Sequence, residues 1–137
     1  MEGYKSAEEH LDLALRYLEE EKNLVNEDPV QASEKLYKAA EEAVKAMALA
    51  LNLDEARRAV EQGKWSSTLL FDVIDDIAIK LNIKELPLWW RAAWVLHVEG
   101  FHEARLSGER VKKDYKYIEE IVEVAKKVLH ECEVRRI

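Results

Sequence analysis

An all-α fold is predicted for this 137-residue chain: one domain, 1–137, built as a single up-and-down helical bundle of four main helices plus one short helix. Three observations predict it. Apolar residues recur at three- and four-residue spacing along most of the chain, and no segment alternates with the period of two that marks a strand. Only four Gly and two Pro occur, so turns are few and helices are expected to run long. A hydrophobic content of 48% beside 36% charged residues describes a globular chain able to bury a core, not a disordered one.

The elements are marked in order. Ser6 and Glu9 have the spacing of a capping box, and Leu11, Ala14, Leu15 and Leu18 behind them keep one apolar stripe. Asp28-Pro29 is a second start, with the acid as cap and proline where no amide partner is lost. From there Ser33, Leu36, Tyr37, Ala40, Val44, Met47 and Leu51 form one stripe. Ala39, Ala43, Ala46 and Ala50 form a second, small enough to let another helix approach closely. A short helix over 54–62 is stopped by Gly63. Ser66-Ser67 can cap the next, where Leu70, Val73, Ile74, Ile77 and Leu81 share a face. Pro87 opens the helix that carries WWRAAWVLHVEGFHEARL (89–106). Ser107-Gly108 breaks that helix, and Val111, Tyr115, Ile118, Val122, Ala125, Leu129 and Cys132 mark a last long one.

Charge narrows the function classes. The net charge is −7, and Arg57-Arg58, Lys112-Lys113, Lys126-Lys127 and Arg135-Arg136 are each flanked by acids, so an extended phosphate-binding groove is disfavoured. The apolar run 86–98 is interrupted by Arg91 and is shorter than the roughly 20 residues of a membrane span. MEGYKSAEEH is charged from its second residue, which is unlike a secretory leader, and the lone Cys132 agrees with a reducing compartment. A cytoplasmic protein that does not enter membranes is expected. Two Gln and four Asn among many Glu and Lys are the bias of thermophile proteins.

The stretch 89–106 gathers the candidate chemistry. On an α-helix at about 100° per residue, Trp90, Trp94, His97 and Phe101 share a narrow stripe that should pack inward. Arg91, Val95, Val98 and His102 fall on a second stripe about a third of a turn away. Glu99-x-x-His102 is half of a di-iron bundle motif, but no second copy exists. His102-Glu103-Ala104-Arg105 begins like a zinc-protease helix and lacks its second histidine. No metal and no cofactor is therefore expected: a mononuclear site from Glu99, His102 and Glu103 on one face is the minor alternative, and the preferred reading puts Glu99 and Glu103 on a solvated edge beside Arg105. Nucleophile elbows, glycine-rich phosphate loops and Cys-x-x-Cys pairs are absent, and Asp75-Asp76 reads as surface charge.

The run QASEKLYKAAEEAVKAMALALNL resembles the second helix of HEPN-type domains. GKWSSTLL, followed by LHVEGFHEARLSGERV, resembles the archaeal PaREP family, a relative of those domains. The resemblance implies a HEPN-like bundle that commonly dimerises. In HEPN ribonucleases an arginine, a short spacer and a histidine act without metal: histidine assists attack by the ribose 2′-hydroxyl and arginine steadies the phosphate. Arg91 and His97, five residues between them, match that spacing, with His102 as a second candidate. The pattern departs from active members at Ala92, where a polar residue is usual, and the pair precedes the Ser107-Gly108 break instead of opening the last helix. On the α wheel Arg91 and His97 also point about 120° apart.

The preferred expectation is a homodimeric binding module, with a nucleotide or other small ligand in a cleft formed by Trp90, Trp94, Glu99, Phe101 and Glu103. The alternative is a metal-independent endoribonuclease using Arg91 with His97 or His102, disfavoured by the acidic charge.

Overall fold

The computed structural model describes residues 5–136. Among them are six α-helices and no strand: α1 (Ala7–Leu24), α2 (Pro29–Ala50), α3 (Asp54–Gln62), α4 (Ser67–Leu81), α5 (Leu86–Val95) and α6 (Gly108–Arg136). A π-helical turn, Leu96–His102, continues α5. The all-helical class and the short 54–62 helix are as expected. The substantial helices, however, are α1, α2, α4, α5 with its π turn, and α6, one more than the four anticipated. The leader-free reading of MEGYKSAEEH rests partly on residues 1–4, which lie outside the described residues.

Local chemistry sets the boundaries. Ser6 Oγ accepts from the Glu9 amide while the Glu9 carboxylate accepts from the Ser6 amide, closing the capping box. Asp28 caps α2 through the Gln31 amide, Ser66 caps α4 through Leu69, and Ser107 accepts from the Arg110 amide in the first turn of α6. Gly63 and Asn82 end α3 and α4 in the left-handed region, where glycine and asparagine are least strained.

α2 lies at the centre of the bundle and packs against every other element. Its alanine-rich surface explains how: Ala32, Ala39, Ala40, Ala43, Ala46 and Ala48 are fully buried, so neighbouring backbones approach closely. Leu36, Val44 and Met47 fill the space between, and Trp90, Leu96, Ile118 and Ile121 close the core from α5, the π turn and α6. No helix among the described residues is long and apolar enough to cross a membrane.

Candidate functional site

The α periodicity expected through residue 106 fails at Leu96, where the backbone changes to i→i+5 bonding. This corrects the placement of His97 and His102 on separate stripes. Residues five apart lie about 140° from each other on an α-helix, but the wider π turn, bonded i→i+5, brings them onto neighbouring positions of successive turns. His102 Nε2 consequently lies 3.2 Å from His97 Nε2, with the rings at 82°.

The turn is seated on α2 through small residues. Gly100 is buried against Ser33, where a β-carbon would collide with the serine hydroxyl and lie 2.6 Å from its Cβ. Ser33 itself is fully buried and donates its hydroxyl to the Pro29 carbonyl at 2.8 Å. The end of the turn is held by the Glu103 amide to Val98 O at 2.9 Å and the Arg105 amide to Glu99 O at 2.8 Å, with Ala104 at φ 53° between them.

α2 also supplies a carboxylate that the sequence reading did not single out. Glu34 Oε1 lies 3.0 Å from His97 Nδ1. Facing a carboxylate, Nδ1 carries the proton, so in the neutral ring Nε2 is an acceptor and His102 donates to it. The result is a chain, Glu34–His97–His102, running from a half-buried carboxylate to an exposed imidazole.

Aromatic rings frame this chain. Tyr37 stacks on His97 with centroids 4.1 Å apart and 24° between planes. Trp94 lies 5.5 Å from His97, and Phe101 lies 6.3 Å from His97 and 5.2 Å from His102. Burial, then the Glu41 and Glu34 carboxylates, push the Tyr37 phenol well above its usual range, so it remains neutral. Burial also raises the Glu41 carboxyl, against the pull of Lys45 and with further pressure from Glu42 and Glu34.

The sequence-predicted residues separate by depth. Trp90 is fully buried beneath this face, with its indole Nε1 unpartnered among the described residues. Trp94, His97, Glu99 and Phe101 are partly exposed, and Arg91, His102 and Glu103 are exposed. Arg105 lies 3.7 Å from Glu99 and 3.0 Å from Glu103, the solvated edge that was expected. Arg91 makes no hydrogen bond or ion pair within the described residues, and its guanidinium is not joined to the histidine chain. Tyr37 was legible only as a member of the apolar stripe of α2, and Glu34 and Glu41, three before and four after it, carried no signal beyond that spacing.

No group of three or more His, Cys, Asp or Glu among the described residues has a metal-binding arrangement.

Comparison with known proteins places the chain. A search of curated proteins finds no match. A crystal structure of a protein from Sulfolobus solfataricus, a structural-genomics target, is 39% identical with a TM-score of 0.78, covering 85% of this chain and 96% of that one. A solution structure of a target with the same designation is 37% identical with a TM-score of 0.66, covering 94% and 95%. The family model described as the archaeal PaREP1/PaREP8 family matches residues 9–122. The chain belongs to the archaeal PaREP1/PaREP8 family.

Proposed function

We propose that this protein is a HEPN-like, homodimeric binding module whose ligand, a nucleotide or a similarly planar polar molecule, lies on the face of the π turn. The Glu34–His97–His102 chain carries the reading. Ordering two imidazoles and a carboxylate in one line, beside the partly exposed rings of Trp94 and Phe101, offers a ligand both stacking surface and directional hydrogen bonds. π turns are frequent at functional sites because they re-aim side chains that an α-helix would separate. Arg91, exposed and without an ion pair among the described residues, adds a cation one to two turns away along the same element.

The Glu34–His97 contact favours a second reading, metal-independent RNA cleavage. A carboxylate that fixes Nδ1–H of His97 turns its Nε2 toward His102, whose own Nδ1 is then left as the free base, a relay akin to the carboxylate-oriented histidine of acyl-transfer enzymes. One imidazole would take the ribose 2′-hydroxyl proton as that oxygen attacks phosphorus. The other would return a proton to the departing 5′-oxygen, with Arg91 on the phosphate.

One set of measurements separates the readings. RNA cleavage in EDTA and fluorescence-polarisation binding of a short RNA and of AMP are compared for the wild type, His97→Ala and His102→Ala. Binding without cleavage, weakened in both variants, supports the module. Cleavage that drops about 100-fold or more in both variants, the scale of general acid–base catalysis, supports the ribonuclease. Equal or absent cleavage in all three proteins removes the ribonuclease, and absent binding removes the module.

A further inference from the structure

A second cleft opens where the start of α1, the C-terminal half of α2 and the end of α3 meet, and Lys5, His10, Lys45, Leu49, Lys64 and Trp65 line it. Its lining holds three lysines against one carboxylate, Glu42, in a chain whose net charge is −7. So concentrated a cationic lining on an acidic protein needs a reason, and its details resemble a built site more than a solvated helix face.

The floor is polar, buried and ordered. His10 and Glu42 are each 8% exposed, on α1 and α2, and His10 Nδ1 lies 2.8 Å from Glu42 Oε1. Lys45 Nζ donates to the other oxygen of the same carboxylate at 3.1 Å and stands 3.9 Å from Glu41. Burial opposes the charge on Glu42, but the bonds from His10 and Lys45 outweigh it and hold the carboxyl below its usual range. The Glu42 charge is thus spent on its two partners. His10 Nε2 makes no hydrogen bond within the described residues, although the ring is nine-tenths buried at the cleft floor. The nitrogen itself is not among the buried unpartnered atoms, so it is open to the cleft and offers a bonding position to what enters.

The rim supplies charge and a flat surface. Lys5 and Lys64 are exposed and make no ion pair within the described residues. The left-handed cap at Gly63, φ 74°, turns the chain sharply out of α3, so that Lys64 and Trp65 follow directly at the cleft. Trp65 is partly exposed, and Leu49 beside it extends the apolar wall. The cleft offers about 210 Å³, below the roughly 300–1,000 Å³ of sites for drug-sized ligands, so it suits a molecule no larger than a single ring with its head group.

We infer that this cleft binds a small amphipathic anion, its charged head between Lys5, Lys64 and His10 Nε2 and its flat apolar body against Trp65 and Leu49. The shared chemistry is a phosphate or carboxylate joined to a ring; both lysines contribute point charges that accept either head group. The site is separate from the π-turn face and uses none of its residues.

Calorimetric titration tests it with four probes: phenyl phosphate, benzoate, inorganic phosphate and benzyl alcohol. Phenyl phosphate or benzoate is expected to bind at least about tenfold more tightly than inorganic phosphate or neutral benzyl alcohol, the equivalent of about 1.4 kcal/mol. The stronger of the two ring anions identifies the head group. Lys5→Ala with Lys64→Ala is expected to weaken that probe about tenfold or more without altering the thermal midpoint, both side chains being exposed. Trp65→Leu should erase the preference for a ring over inorganic phosphate, and His97→Ala should change nothing. No heat from either ring anion, binding indifferent to the two lysines, or binding lost in His97→Ala would each overturn the proposal. The last result would leave the π-turn reading standing.

Discussion

At Gly100 an added methyl would meet the Ser33 hydroxyl and lie 2.6 Å from Ser33 Cβ, on a helix whose backbone cannot retreat through a fully buried alanine face. Gly100→Ala is therefore expected to destabilise the fold by about 1–3 kcal/mol, the cost of overpacking, measurable as a lower urea midpoint. Glu21 makes a different statement. It is 2% exposed, and burial pushes its carboxyl up to about 7, against the pull of Lys22 and Lys112. Between the unfolded value of about 4.3 and about 7, the folded state keeps a proton that the unfolded state has lost. Stability falls as pH rises through that window. Glu21→Gln should remove this slope and gain roughly 2 kcal/mol at pH 8, with little change at pH 4. An identical difference between wild type and variant at both values would show that burial of the charge is not what costs stability.

At the scale of the element, the change from α to π geometry at Leu96 decides what the histidines can do. An α-helix through 106 would leave His97 among packed rings and His102 on a separate stripe. Bonding i→i+5 joins them and sets a donor order: Nδ1–H of His97 to Glu34, then Nε2–H of His102 to Nε2 of His97. Nitrogen-15 spectra of the neutral rings are expected to show the Nδ1–H tautomer at His97 and the Nε2–H tautomer at His102. The reverse assignment would break the chain. The sequence held a signal for the change in Gly100, a poor helix former well inside the segment. Periodicity alone reads such a glycine as a cost to the α-helix, not as a contact with Ser33.

At the scale of the whole molecule, the bundle leaves large apolar side chains uncovered. Ile79 at 81% exposure and Leu88 at 60% are large apolar side chains on the consecutive helices α4 and α5, where a monomer gains nothing from them. If the proposed homodimer forms through these side chains, it should sediment at twice the chain mass of 15.9 kDa, and Ile79→Glu with Leu88→Glu should return it to the monomer. A wild-type monomer at high concentration would remove the dimer from the proposed function. Helix boundaries and the core stripes of α1, α2, α4 and α6 were legible in advance, because caps and 3.6-residue periodicity are local properties of the chain. The family was legible from GKWSSTLL and LHVEGFHEARLSGERV. Glu34 with His97, and His10 with Glu42, were not: the partners lie 63 and 32 residues apart, and only packing on α2 brings them within bonding distance. The sequence by itself determined an all-helical chain of this family and which side chains could be reactive. Tertiary structure alone decided which of them meet, since hydrogen bonds between helices depend on register and approach, and here small residues on α2 control both.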